Sequence, residues 1–337
     1  MRELLKTLCS LSAVSGSESE VRDFVIKEVS PFAECTVDKL GNIICFKKGE
    51  KPASKKVMVD AHIDEVGIIA TSFTADGFVK FQTVGGIDPA VMLCRSVIFE
   101  NGTRGVVGLK PVHLSKADER KKLPDSDSLY IDIGAACEED AKKLISVGDT
   151  AVFESEFEFL GENNVKAKAL DDRAGVACLI SLLKDKSEYD FYATFTAGEE
   201  VGCRGARTAA FGLAPDCAIV LEATTAADLE GVPKENKVCC LEKGPAISFM
   251  DKSTLYDRRL YDAAINSGLL CQPKSAVAGG NNSGAIHLSK DGVPTLAISL
   301  PCRYIHSPSS VANLLDLDAM KALAKAMIKK AASGEIV

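Results

Sequence analysis

Val57-Met58-Val59-Asp60-Ala61-His62-Ile63-Asp64-Glu65 opens as an apolar strand and closes in a histidine and two acids. The run at 57–59 has the texture of a strand covered on both faces, as a sheet with helices on each side requires. In such sheets ligands gather outside the carboxyl ends of the strands, so polar residues placed there are candidates for chemistry. Three further segments repeat the pattern: Phe195-Thr196-Ala197-Gly198-Glu199-Glu200-Val201-Gly202, Ile219-Val220-Leu221-Glu222, and the loop after Ser299 that holds Arg303-Tyr304-Ile305-His306. A fifth, Leu170-Asp171-Asp172-Arg173, sets acids just ahead of a helix.

Outward from these segments the chain reads as strand-helix alternation interrupted once. Ser17 and Glu20 predict a capping box ahead of a helix with Val21, Phe24, Val25 and Val29 on its apolar face. A strand is expected at 42–46. From 67 to about 159 short β-rich runs at 78–84, 96–99 and 130–133 alternate with glycines, and Asn101-Gly102 is a hairpin turn. This stretch is expected to be a separate β domain inserted into the first. After Leu170, a helical stripe (Val176, Leu179, Ile180, Leu183), buried strands at 191–196, 217–221 and 295–299, and a closing amphipathic helix (Met320, Leu323, Ala324, Met327, Ile328) restore the α/β pattern. Alternation on both sides of the insertion implies one sheet with helices on its faces.

The 337 residues suit two domains, and 46% hydrophobic with 26% charged residues is ordinary globular composition. No apolar run approaches the length of a membrane span. A net charge of -7 without long basic clusters argues against nucleic acid. Residues 1–11 lack the pattern of an export signal, so a cytoplasmic location is expected. Twelve cysteines sit in apolar patterns, as at Cys45, Cys178, Cys217 and Cys302, and are expected to be small core residues in a reducing compartment. Cys239 and Cys240 are expected on opposite faces of a strand, and the charge cluster from Glu119 to Lys122 is expected to be a solvated loop.

Two histidines and several acids at strand ends form the borderline ligand set that suits zinc, cobalt or manganese. Side chains alternate along extended backbone, so Glu199 and Glu200 face apart; one is suited to a metal and the other to proton transfer. Residues two apart share a face, which lets Asp64 hold the imidazole of His62. Singly, each signal has a plainer reading: paired acids are usually solvated, and Asp171-Asp172 also reads as a helix cap. Recurrence at equivalent strand ends favours the site. His287, within an apolar helical pattern, and His113, in the β insertion, are read as structural.

Taken in order, Ser15-Gly16-x-Glu18, Asp60-Ala61-His62-Ile63-Asp64-Glu65-Val66-Gly67, Ala169-Leu170-Asp171-Asp172-Arg173, Thr196-Ala197-Gly198-Glu199-Glu200-Val201-Gly202-Cys203-Arg204-Gly205-Ala206 and Arg303-Tyr304-Ile305-His306-Ser307-Pro308 resemble the M42 family of metallo-aminopeptidases, which includes glutamyl aminopeptidases and tetrahedral-assembly aminopeptidases. The resemblance spans almost the whole chain. It implies an α/β/α sandwich of the metal-dependent exopeptidase kind, with residues 1–65 and 159–337 catalytic and 66–158 an inserted PDZ-like dimerisation domain. It also implies a homo-oligomer, a dimer or a hollow dodecamer.

By position, His62 resembles a ligand of one metal and His306 of the other, with Asp171 bridging. Glu200 resembles the carboxylate beside His306 and Glu222 the one beside His62. Glu199 matches the general base and Asp64 the residue that orients His62. Two divalent ions, zinc or cobalt first and manganese next, with a bridging water as nucleophile, would then hydrolyse the N-terminal peptide bond of peptides. The sequence departs from the family in two places: Glu222 stands where Asp is usual, and Asn282, in Gly279-Gly280-Asn281-Asn282-Ser283-Gly284, stands where an Asp is usual. Related two-metal deacylases and carboxypeptidases often have Glu at that ligand, so they form one alternative. A glycoside hydrolase is a second, since paired acids serve that chemistry, but the chain has no tryptophan for sugar stacking and glycosidases need no ligand histidines. A binding or assembly protein with a weakened site is a third. Lys243 and Arg303 are candidate cations for an acidic side-chain preference.

Overall fold

The computed structural model describes residues 1–114 and 123–337, and the expected solvated loop at 119–122 lies outside the described residues. Strands β1 (Glu34–Val37), β2 (Ile43–Lys47) and β3 (Val57–His62) come first. The chain then forms β4 (Gly67–Phe73), β5 (Val79–Val84), β6 (Ser96–Phe99), β7 (Arg104–Gly108), β8 (Tyr130–Asp132) and β9 (Thr150–Phe153), which close into a barrel in the order β4-β5-β8-β7-β6-β9. It returns through β10 (Glu158–Leu160), β11 (Asn164–Ala167), β12 (Phe191–Thr196), β13 (Cys217–Thr225), β14 (Ala246–Ile247), β15 (Gln272–Pro273), β16 (Thr295–Arg303) and β17 (Ser310–Asn313). Among the described residues the main sheet runs β1-β2-β12-β3-β13-β16-β17-β11-β10, with β14 on β16 and β15 on β14.

The middle of that sheet, β12-β3-β13-β16, is parallel, and every residue of β3 is buried. Its odd positions, Val57, Val59 and Ala61, join the large core containing helix Leu170–Lys184 and helix Leu314–Ser333. Met58, with Ala218 and Val220 of β13, faces the opposite layer, where helices Arg204–Leu213 and Ser283–Ile286 pack. The result is the expected three-layer sandwich, and the expected inserted β-rich unit is the barrel, which has its own buried cluster around Ile68, Phe81, Val97, Phe99 and Ile131. Each large aliphatic side chain so buried contributes about 1.5–3 kcal/mol, which is why two separate apolar clusters hold two separate layers of structure. Asn313 caps the closing helix by accepting from Leu315 N and Asp316 N, and Gly334 in the left-handed region ends it.

Several local expectations need correction. The capping box at Ser17 does not form: the helix spans Ser19–Val29, and Glu20 turns back to accept from Ser12 N at 2.8 Å. Strands β13 and β16 run four residues past the expected ends, so Glu222 lies within a strand rather than at its tip. Cys45, expected as a free core thiol, is in a disulfide with Cys35, because the antiparallel register of β1 and β2 sets the two directly opposite. Cys178, Cys217 and Cys302 are buried free thiols. Cys239 and Cys240 lie outside any strand; the Sγ of Cys239 donates to Thr225 O. The hairpin at Asn101-Gly102 joins β6 to β7. Among the described residues no helix is long and apolar enough to cross a membrane.

Candidate functional site

Met58, Asp60 and His62 project from one face of β3, and Val220 and Glu222 from the same face of the neighbouring β13. The strand parity that buries Met58 and Val220 therefore carries His62 and Glu222 to a common point, with His62 Nε2 at 3.7 Å from Glu222 Oε2. Asp171 enters from the start of helix Leu170–Lys184, where Asp171 and Asp172 have non-helical backbone angles and are joined by a cis peptide bond. Its two oxygens divide between the two histidines. Oδ1 lies 3.2 Å from His62 Nε2 and Oδ2 lies 3.3 Å from His306 Nε2. Glu200 Oε1 stands 3.4 Å from His306 Nε2. His62, Asp171 and Glu200 each offer an atom within 4.8 Å of one another, as do His62, Asp172 and Glu222.

The structure thus brings together all five residues expected as ligands and adds Asp172. The plainer reading of Asp172 also holds, since its Oδ1 accepts from Gly175 N at 2.9 Å. Both histidines are oriented from behind. His62 Nδ1 faces Asp64 O at 3.1 Å and Asp64 Oδ1 at 3.3 Å, while His306 Nδ1 donates to Gly86 O, a barrel-side carbonyl, at 2.8 Å. Gly85 beside it has φ +83°, and a Cβ there would press on Val66 and Glu200, so this turn needs glycine. Asp64 accepts from Ser15 Oγ (2.6 Å), Glu199 N (3.0 Å) and Glu200 N (3.1 Å). One buried carboxylate therefore ties His62 to the loop that carries both glutamates. Glu199 accepts from Cys203 Sγ at 3.5 Å.

The titration behaviour follows from crowding acids around two imidazoles. Burial alone would lower His62, but Glu222, Asp171 and Asp64 carry it well above its ordinary value. His306 is likewise opposed by burial and raised to about 9 by Asp171 and Glu200. Burial, then the Asp171 charge, pushes Glu200 up to about 8. Burial also raises Glu222, Asp172 and Glu199. Asp171, despite burial, is held far below the carboxylate range by hydrogen bonds from His306 and His62. Among the described residues, buried Glu200 Oε1, Glu222 Oε1 and Asp172 Oδ2 have no hydrogen-bond partner. Buried acceptors left open around two imidazoles are what divalent cations satisfy, so the residues fit a metal centre.

Other sequence candidates fall outside the cluster. Asn282 is buried and donates to Asp60 Oδ2 (2.8 Å) and Thr196 Oγ1 (2.9 Å) beneath the site. His287 Nδ1 faces Ser283 O, in line with its structural reading, and His113 is exposed. Arg303 is engaged by Asp228 through two 2.7 Å contacts, and Lys243 is exposed. Sequence reasoning missed Asn42, which is fully buried: its Oδ1 accepts from Ala197 N at 2.9 Å and its Nδ2 donates to Gly205 O at 3.0 Å, gripping both ends of the glutamate loop. The Gly41-Asn42 turn ahead of β2 was the available signal.

With this geometry in hand, the model of the M42 glutamyl aminopeptidases matches residues 41–323. The chain belongs to the M42 glutamyl aminopeptidase family. It is a hydrolase of the aminopeptidase kind. This M42 chain is 31% identical over 347 residues to the lysyl aminopeptidase of Pyrococcus furiosus, covering 97% of its own length and 96% of that protein. Its fold superposes on an aminopeptidase from the archaeon Desulfurococcus kamchatkensis with TM-score 0.93 at 36% identity, covering 99% of this chain and 96% of that one. It also superposes on the Pyrococcus horikoshii TET1 peptidase, which assembles into a tetrahedron or a large octahedral shell, with TM-score 0.84 at 33% identity, covering 96% and 98% of the two chains.

Proposed function

We propose that this chain is a two-metal aminopeptidase that hydrolyses the N-terminal peptide bond of peptides. The observation that carries the reading is the division of Asp171: one carboxylate oxygen faces His62 and the other faces His306. On it, His62 and Glu222 would hold one divalent cation, His306 and Glu200 the other, and Asp171 would serve both. Zinc or cobalt suits this nitrogen-and-carboxylate set best, with manganese next. When bound, the pair would supply Lewis-acid polarisation of the carbonyl and would acidify the attacking water.

The remaining work falls to side chains. Glu199, whose buried carboxyl is raised, takes the proton of the attacking water and returns it to the leaving amine. Asp64 keeps His62 turned toward Asp171. Residues 66–158 form the dimerisation domain between the catalytic segments 1–65 and 159–337, and the homo-oligomer is a dimer or a dodecamer built from dimers.

The test is metal removal and return. Chelation abolishes release of N-terminal amino acids from unblocked peptides, and zinc or cobalt restores it. Glu199→Gln retains cation binding while turnover falls by at least about 100-fold. Activity that survives chelation, or a Gln variant as active as wild type, defeats the reading.

A further inference from the structure

Beside the metal-fit cluster lies a second group of charges. Glu65 accepts from Lys168 Nζ at 2.8 and 2.9 Å, from Arg173 Nη2 at 3.0 Å and from Ala13 N at 3.2 Å. All three charged side chains are almost wholly buried. Lys168 also donates to Leu11 O at 2.7 Å, and Arg173 donates to Leu8 O at 3.2 Å and to Ile63 O. Two cations share one carboxylate here, so one buried positive charge has no acid of its own. Uncompensated buried charge is costly and calls for a counter-charge nearby.

The acids of the site adjoin the clamp in the chain. Glu65 follows Asp64 in sequence, Ile63 O is the carbonyl next to His62, and Arg173 lies two residues past Asp171. Glu65 also lines a small cavity of about 10 Å³ together with Asp171, Glu200 and His306. The clamp therefore joins the β3 end that carries His62 to the helix start that carries Asp171, and it adds positive charge behind a group of converging carboxyls.

We propose that Lys168 is a positioning residue of the metal centre: through Glu65 its charge offsets the mutual repulsion that the site carboxyls develop as they ionise and so preserves their arrangement before any cation binds. This rests on the two-cation reading above and deepens it. A charge that steadies the metal-free cluster also opposes incoming cations, so the site trades affinity for a preformed geometry. Removing that charge should destabilise the metal-free protein more than the loaded one and tighten cation binding. Removing the carboxylate partner should do the reverse to binding.

The test compares wild type, Lys168→Gln, Lys168→Arg and Glu65→Gln as full-length protein, stripped with chelator or loaded with zinc. It reads melting temperature in both forms and zinc affinity by competition with a chromophoric chelator. Lys168→Gln is expected to widen the gap between stripped and loaded melting temperatures and to bind zinc on the order of tenfold more tightly. Lys168→Arg should match wild type, and Glu65→Gln should weaken zinc binding. Equal losses in both forms, or weaker zinc binding by Lys168→Gln, assign the clamp a purely structural role and overturn the proposal. So does a Gln variant that fails to fold even with zinc present. A wild type whose melting temperature neither zinc nor cobalt moves overturns the two-cation reading and this inference with it.

Discussion

Replacing Asp64 with Asn removes a charge and turns one acceptor into a donor at the most heavily used carboxylate of the site. Burial would raise Asp64, but the hydrogen bonds from His62 and Ser15 hold it below the ordinary range, so it is ionised at neutral pH. Each of its oxygens serves two donors: Oδ1 serves Glu199 N and faces His62 Nδ1, while Oδ2 serves Ser15 Oγ and Glu200 N. An amide cannot match that set. Its less costly orientation points NH2 at Ser15, whose hydroxyl can accept, and leaves Glu200 N–H buried without a partner at about 1–3 kcal/mol. The surviving contacts lose their charge-assisted strength, roughly half of each. Together these changes come to about 3 kcal/mol, and the imidazole of His62 loses the anion that orients it, which costs about 10–100-fold in metal affinity. Denaturant unfolding of the stripped protein measures the first figure and zinc competition the second. A variant within about threefold of wild type in zinc affinity and turnover would show that Asp64 does not orient His62.

Asn42→Ala should leave Ala197 N unpaired, at about 1–3 kcal/mol, and take one donor from Gly205 O, which keeps its hydrogen bond from Thr208 Oγ1. It should lower kcat more than it raises KM, with faster amide exchange across 197–205; unchanged exchange there refutes the grip assigned to Asn42. The metal-free protein should lose stability as pH rises. Glu200 moves from an ordinary 4.5 to about 8 and His306 from 6.5 to about 9 on folding. The folded state therefore holds protons that the unfolded chain has released. The Glu200 contribution, present below about pH 4.5, is lost by about pH 8, and the His306 contribution, present below about pH 6.5, is lost by about pH 9. Melting temperatures of chelated protein that stay flat or rise between about pH 5 and pH 9 contradict these shifts.

His62, Glu200, Glu222 and His306 stand out without coordinates because each follows an apolar strand pattern that it breaks, although β13 runs on past Glu222. The closing helix and the β-rich insertion were legible for the same reason, a change in period or texture. What stayed hidden involves partners distant in the chain or without a side chain. Gly86 serves His306 through a backbone carbonyl, a role that any residue identity conceals. Glu65 and Lys168 are 103 residues apart, and neither residue alone points to the other. Asn42 reads only as the first residue of an expected strand, because nothing local tells that Ala197 and Gly205 come to it. Cys35 and Cys45 pair through a register that becomes visible only once β1 and β2 are laid side by side. The Ser17 cap failed because Glu20 had a competing donor in Ser12, outside the helix.

A carbonyl survives a change of side chain at its own residue, so the tie between Gly86 and His306 is exposed mainly to loss of the Gly85 turn and to changes of length. One residue inserted or deleted at 85–88 would swing the oxygen away while leaving the composition of the site intact. The barrel thus acts as a spacer gauge for the far imidazole: whatever tilts it, a neighbouring copy or a bulky peptide, pulls on that ring. Severing the barrel from the sandwich would leave His306 present yet unaimed.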